Sequence, residues 1–214
     1  PKELKDKGLK VHHSNLCSEI TLPTNEERTA VCCLSSVNLE YFDEWEKEEL
    51  FIEDLMRMLD NTLTKFIKGA PLTMKKAITS AESERSVGLG AMGFHSYLQR
   101  NGIALQSPIS MGPNVKIFKH IKKKCDAANL LLGKERGEAP DIKGTGKRFS
   151  HMIAVAPNAS SSIICGNTSP SIEPLRANAF TQKTLSGSFL IKNKYLEKLL
   201  EEKGKNTKDV WKII

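Results

Sequence analysis

Between Asp43 and about Lys68, Phe51, Ile52, Leu55, Met56, Leu59, Leu63, Phe66 and Ile67 recur at helical spacing and predict an amphipathic helix. Gly69 and Pro71 supply its stop. A second helix is predicted from Asn114 to Gly133. There Ile117, Ile121 and Cys125 stand opposite Lys116, Lys119, Lys122, Lys123 and Lys124, the pattern of an amphipathic helix with a solvated basic face. Tyr195, Leu196, Leu199 and Leu200 predict a third helix that Gly204 ends. A last helix starts near Thr207, and its Val210, Trp211, Ile213 and Ile214 form an apolar cluster that requires a partner.

The period changes to two elsewhere. The stretch 14–20, "SNLCSEI", predicts a strand with Asn15, Cys17 and Glu19 on one face and Leu16, Ser18 and Ile20 on the other. The segment 30–39, "AVCCLSSVNL", is rich in β-branched and small residues and predicts a second strand. "HMIAVAP" predicts a buried strand that Pro157 ends, after which Asn158 or Ser160 can cap a short helix through Ser162, Ile163 and Ile164. Between them lies Gly88-x-Gly90-x-x-Gly93. It lacks the full preceding strand and the later acidic residue of a dinucleotide fingerprint, so it predicts a tight loop ahead of the helix "FHSYLQR".

Composition narrows the class. A chain of 214 residues, 39% hydrophobic and 27% charged, buries a real core as a globular domain. No apolar run approaches the roughly 20 residues that span a bilayer, and "KELKDKGLK" does not read as a signal peptide. Five cysteines without framework spacing argue against structural disulfides and for a reducing, cytoplasmic setting. The net charge of +7 raises nucleic acid as a partner. The lysines that carry it crowd one solvated helix face, which counts against that reading and suits an anionic small molecule or an acidic chain.

Two stretches bear chemistry. An amide, a thiol and a carboxylate on one face, Asn15, Cys17 and Glu19, make either a polar seam or an active site. Zinc is the weaker reading of His12, His13, Cys17, Cys32 and Cys33, which lack knuckle spacing, so no metal site is expected. Pro157, Asn158, Ala159, Ser160 and Ser161 join a strand to a helix start, which is an anion site or an ordinary cap. Cys125 belongs to a core face, and Cys165 takes no role.

Five stretches, "SNLCSEI", "AVCCLSSVNL", "RSVGLGAMGFHSYL", "APNASSSIICGNTSPSIEP" and "TLSGSFLIKNKYL", together resemble the catalytic large subunit of ribonucleotide reductase. The resemblance is closest to the class I, ribonucleoside-diphosphate type, phage or bacterial in character. It implies an α/β fold, roughly half of that family's ten-stranded α/β barrel. Residues 1–214 would form a single partial domain with an active-site strand (14–20), a reducing-cysteine strand (30–39) and a phosphate-binding loop (157–164). By the same resemblance Cys17 is the thiyl-radical cysteine that takes the 3′ hydrogen of the ribose. Glu19 takes the 3′-hydroxyl proton, and Asn15 hydrogen-bonds the sugar, with Leu16 and Ser18 also against substrate. Cys32 is one cysteine of the reducing pair, while Cys33 holds a position that is usually small or polar. Pro157, Asn158, Ala159, Ser160 and Ser161 hold the phosphates.

The resemblance also implies partners. The substrate is a ribonucleoside diphosphate, and the chain binds no cofactor itself. A dimetal-tyrosyl small subunit supplies the radical, thioredoxin or glutaredoxin the reducing equivalents, and allosteric nucleotides bind elsewhere in the large subunit. The family's large subunit is several times longer, and the second reducing cysteine lies outside this chain. The relay tyrosines lie outside it too, because Tyr41, Tyr97 and Tyr195 are not adjacent. The expectation is an oligomer in which the remaining large-subunit segments complete the barrel. The other readings are the cobalamin-dependent class of the same family, a non-catalytic nucleotide- or protein-binding remnant, and, most distant, a Rossmann-type oxidoreductase.

Overall fold

The computed structural model describes residues 2–214. Its helices are α1 (Lys2–Asp6), α2 (Phe42–Trp45), α3 (Phe51–Gly69), α4 (Lys75–Glu84), α5 (Phe94–Arg100), α6 (Met111–Arg136), α7 (Ser161–Ile164), α8 (Lys194–Glu202) and α9 (Lys208–Ile213). Its strands are β1 (Cys33–Asn38), β2 (Val87–Met92), β3 (Ala179–Thr184) and β4 (Gly187–Lys192).

β1 and β2 pair in parallel, from Cys33 beside Val87 to Asn38 beside Met92. Every residue of β2 is buried, as expected of a strand covered on both faces. The predicted loop at 88–93 is therefore a strand, and only its end turns, where Gly93 takes φ +82° at the start of α5. Its glycines serve close packing within the sheet. A Cβ on Gly88 would fall 2.4 Å from Leu34 Cδ2 and 2.8 Å from Ala154 Cβ, and one on Gly90 would fall 2.4 Å from the Ala154 carbonyl oxygen.

Residues 151–156 run beside β2 on its far side. Val87 and Leu89 N–H donate to the carbonyls of His151 (3.1 Å) and Met152 (2.7 Å), and Ala154 N–H donates back to Leu89 (3.2 Å). This is the predicted buried strand, reduced to a single parallel bridge at Ile153. The sheet is thus an arc of parallel strands with helices outside it.

Two helices cover one face of the sheet. α6 is 26 residues long, about 39 Å at 1.5 Å per residue, and packs along α3. Ile117, Ile121, Cys125 and Leu132 from α6 meet Ile52, Met56, Leu59 and Leu63 from α3 in the main core, with Val87, Leu89 and Ala91 of β2. The helix predicted over Asp43–Lys68 is interrupted between Trp45 and Phe51, because residues 46–50 offer no apolar anchor and Leu50 stays exposed. Trp45 and Phe51 still meet across the break, with ring centroids 5.1 Å apart.

The antiparallel hairpin β3–β4 turns at Leu185 and Ser186, and no hydrophobic pattern announced it. Its Phe189 and Leu190 remain exposed. The expected helix over Tyr195–Leu200 follows, capped by Asn193, whose Oδ1 accepts from the N–H of Tyr195 (3.1 Å) and Leu196 (3.4 Å). α9 starts just after Thr207 as predicted, Thr207 Oγ1 accepts from Val210 N–H (3.4 Å), and Trp211 Nε1 donates to Asn206 Oδ1 (2.6 Å). No helix among the described residues is long and apolar enough to cross a membrane.

Candidate active site

Residues 14–20 do not form the predicted strand. Asn15 closes a turn on Ile20: its N–H donates to the Ile20 carbonyl (3.2 Å), and Ile20 N–H donates to Asn15 Oδ1 (3.4 Å). Ser18 adopts φ +61°, which breaks any two-residue alternation. The turn carries Leu16 and Cys17 at its tip, with Leu16 99% exposed rather than packed. Asn15 and Glu19 stand at its base. Glu19 Oε2 is buried there without a hydrogen-bond partner among the described residues, which leaves an acceptor free.

Beyond the turn, Ile20 and Leu22 pack with Ala154, and Ala30 and Cys32 close the same small cluster. A cavity of about 510 Å³ opens there, lined among others by His13, Asn15, Ile20, Arg28, Cys32 and Leu34. The structure thus joins Asn15 and Cys32 in one cavity and leaves Cys17 on the turn that borders it.

Cys32 immediately precedes β1. Its sulfur lies 3.4 Å from where a Gly88 Cβ would stand, so it shares the sheet face of Leu34 and Gly88. Burial pushes the Cys32 thiol up to about 12, with further upward pressure from Cys33, Glu19 and Glu84. Cys33 packs from the opposite face against the main core, as the alternation of a strand requires. Its thiol is also raised by burial, with Arg85 opposing.

The 157–161 loop follows the parallel segment 151–156. Ala154 contacts the Cys32 face through Gly88, and three residues of extended chain, about 10 Å, separate it from Pro157. The expected side-chain cap is absent. Asn158 instead uses its amide to donate to the Ala156 carbonyl (2.7 Å), and its own carbonyl accepts from Ser162 N–H (2.9 Å). Ser160 occupies the capping position without a side-chain hydrogen bond. A second cavity, about 400 Å³, opens here, with Ala159, Ser160, Ser162, Arg176, Lys192 and Asn193 in its wall.

Sequence reasoning missed Arg28, Glu84 and Ser86. Arg28 lines the Cys32 cavity and forms a buried ion pair with Asp141. Glu84 and Ser86 flank Arg85 directly ahead of the all-buried β2, and polar residues ahead of an apolar strand were the available signal.

A sequence profile of the ribonucleotide reductase barrel domain matches residues 2–144 and 138–214. The ribonucleoside-diphosphate reductase large subunit of Invertebrate iridescent virus 3 is 57% identical over 203 residues, covering 95% of this chain and 32% of that protein. The putative large subunit of Frog virus 3 is 49% identical over 214 residues, covering 99% of this chain and 38% of its own. The solved structure of the Actinobacillus ureae class Id ribonucleotide reductase alpha subunit superposes with a TM-score of 0.91 at 42% identity, covering all of this chain and 39% of that one. The chain therefore spans about a third to two-fifths of the length of these relatives. With its parallel arc and outer helices, it belongs to the ribonucleotide reductase family, as a segment of the barrel domain.

Proposed function

We propose that this chain contributes the substrate-facing segment of a ribonucleoside-diphosphate reductase large subunit. In this reading the 15–20 turn and the Cys32 cavity receive the ribose, and the 157–161 loop receives the phosphates. One observation carries it. Asn15 and Cys32 share a cavity, and a short extended segment through Gly88 and Ala154 leads from it to Pro157, an interval suited to a ribose with its phosphates. Arg176 and Lys192 in the wall beside Ala159 and Ser160 add the positive charge that a diphosphate requires.

The roles follow from the chemistry. A Cys17 thiyl radical takes the 3′ hydrogen atom, and Glu19, with its free oxygen, accepts the 3′-hydroxyl proton. Asn15 holds the sugar by hydrogen bonding. Cys32 and a second cysteine elsewhere in the large subunit supply two electrons and two hydrogens. The pair ends as a disulfide while the 2′-hydroxyl leaves as water. The remaining large-subunit segments complete the barrel and cover the exposed tip at Leu16. A separate small subunit generates the radical, and an external dithiol resets the pair.

The test mixes this chain with the remaining large-subunit segments and a small subunit and follows deoxynucleotide formation. Activity that needs every component and disappears with Cys17→Ser supports the reading. A mixture that assembles and stays inactive overturns it.

A further inference from the structure

The 157–164 loop runs into a turn that is held from outside. α7 has four residues, too few to keep its shape from internal bonds. Cys165, Asn167 and Thr168 close it, their N–H groups donating to the carbonyls of Ser161 (2.9 Å), Ile163 (3.2 Å) and Ser162 (3.1 Å). Closure puts Gly166 at φ +85° and Asn167 at φ +53°, and the left-handed region costs a residue other than glycine unless its surroundings hold it there. Asn167 and Thr168 stand in the wall of the cavity that Ala159 and Ser160 also line, so the position of the turn shapes the site.

Downstream of the turn the chain is fixed on α5. Gly93 N–H donates to the Ser169 carbonyl (2.7 Å). Ser169 Oγ accepts from Ser96 N–H (3.2 Å), and Ser96 Oγ accepts from Ser169 N–H (2.9 Å), which completes across two segments the capping box that Gly93 cannot supply. A side chain at Gly93 is excluded, because its Cβ would fall 2.4 Å from Asn38 Oδ1 and 2.6 Å from Thr168 Oγ1. The turn itself has weaker support. Among the described residues its carbonyls take two hydrogen bonds from outside the loop, from Asn38 Nδ2 to Cys165 (3.5 Å) and from Lys194 Nζ to Gly166 (3.3 Å).

The lysine is the stronger hold, because it is charged and its ammonium is seated. Lys194 Nζ lies 2.5 Å from Glu40 Oε1, which also accepts from the Tyr195 hydroxyl (2.6 Å). Glu40 follows β1 by two residues and is 2% exposed, and Lys194 is the cation bonded to its carboxyl among the described residues. A buried carboxylate keeps its counter-ion close, so the ammonium reaches Gly166 from one fixed place. We infer that Lys194 is a positioning residue for the phosphate loop: seated on Glu40, it holds the 165–168 turn, and through it the 157–164 loop, in the shape that receives a diphosphate. It acts through the Gly166 carbonyl, with no contact to substrate. The assignment rests on the phosphate-binding reading of the loop.

The first measurement is hydrogen exchange in the full chain. Lys194→Met should speed exchange of the Asn167 and Thr168 amides about tenfold, as expected for loss of one hydrogen bond from a charged donor. The Leu89 amide, inside the sheet, should keep its wild-type rate and so report an intact fold. Lys194→Arg should restore slow exchange, and Glu40→Gln, which removes the charge that seats the ammonium, should loosen the same two amides. The second measurement is kinetic, in the reconstituted enzyme with a ribonucleoside diphosphate. Lys194→Met should raise KM about tenfold and leave kcat within about twofold, the signature of binding lost equally from ground and transition states. A folding defect would instead lower kcat and leave KM. Lys194→Arg should bring KM back toward wild type. Unchanged exchange at Asn167 and Thr168, or a loosened turn with a wild-type KM, overturns the role of Lys194. The phosphate reading is tested separately in the wild type, where a ribonucleoside diphosphate added to the reconstituted large subunit should slow exchange across residues 158–164. Absence of that protection removes the reading and the role of Lys194 with it, whereas protection together with an unchanged KM in Lys194→Met removes the role alone.

Discussion

Single residues decide the charge balance of the interior. Asp60 is 1% exposed and receives three arginines: Arg85 at 2.6 Å, Arg136 at 2.8 Å and Arg148 at 3.1 Å. Burial alone would raise its carboxyl, but the hydrogen bonds from Arg136 and Arg85 outweigh burial and hold it below the usual range. Its stabilising effect is present above the unfolded pKa and is lost as pH falls through the lower folded value. Asp60→Asn should therefore cost about 3–5 kcal/mol at neutral pH, since it leaves buried guanidinium groups uncompensated. Urea unfolding within 1 kcal/mol of wild type would refute this account. Glu84 has the opposite sign. Its folded pKa of about 7 lies above the ordinary carboxyl value of 4.5, so the fold favours the neutral acid. That contribution is complete below the unfolded pKa and is lost as pH rises from there to about 7, a change of about 3 kcal/mol. Glu84→Gln should gain on wild type by that amount between acid and mildly alkaline pH. Parallel stability curves for the two proteins would count against a neutral Glu84. Neither residue was legible in the sequence, because a carboxylate on a helix reads as surface until the arginines or the empty space around it are seen.

At the scale of elements, what the sequence revealed depended on whether a side-chain period or a backbone exception governed the segment. The α6 face of Ile117, Ile121 and Cys125 was legible because many residues repeat one message. The 14–20 turn was not: Asn15, Cys17 and Glu19 alternate as a strand would, yet Ser18 at φ +61° and the Asn15–Ile20 hydrogen bonds fold them into a turn. The three residues stay within one turn, Asn15 and Glu19 at its base and Cys17 at its tip, but a shared strand face is not their arrangement. β2 failed in the other direction. Glycine usually weakens a strand, and here it marks where a neighbouring chain comes too close for any side chain. The two glycines differ in what they meet. Gly90 faces the Ala154 carbonyl oxygen at 2.4 Å, which is backbone held in the sheet, whereas Gly88 faces the movable Leu34 side chain first. Gly90→Ala should thus cost more than Gly88→Ala, with the larger loss in the range of about 1–3 kcal/mol or above. Thermal melts that rank the two the other way would show that the Ala154 segment yields more easily than its hydrogen bond to Leu89 suggests.

Across the whole molecule, the arc of strands is asymmetric, and that asymmetry bears on assembly. β2 lies between β1 and the 151–156 segment, and all six of its residues are buried. β1 pairs with β2 on one side only, and its Leu34 is exposed. Parallel strands are stable when covered on both faces and paired on both edges, so a one-sided β1 fits a segment of a barrel domain with a further strand at that edge. Hydrogen exchange distinguishes the two environments. In the chain alone, amides of β2 that donate to 151–156, such as Leu89, should exchange slowly, at a rate set by opening of the core. Amides of β1 on the unpaired edge should exchange quickly, because water reaches them directly. Addition of the remaining large-subunit segments should slow the β1 amides by a factor of ten or more while leaving those of β2 nearly unchanged. That pattern would place further barrel strands against β1, on the side of the proposed ribose site at Cys32 and the 15–20 turn. Equal slowing of both strands would instead mean that the partner stabilises the whole segment without pairing at β1, and the site would have to be closed from another direction.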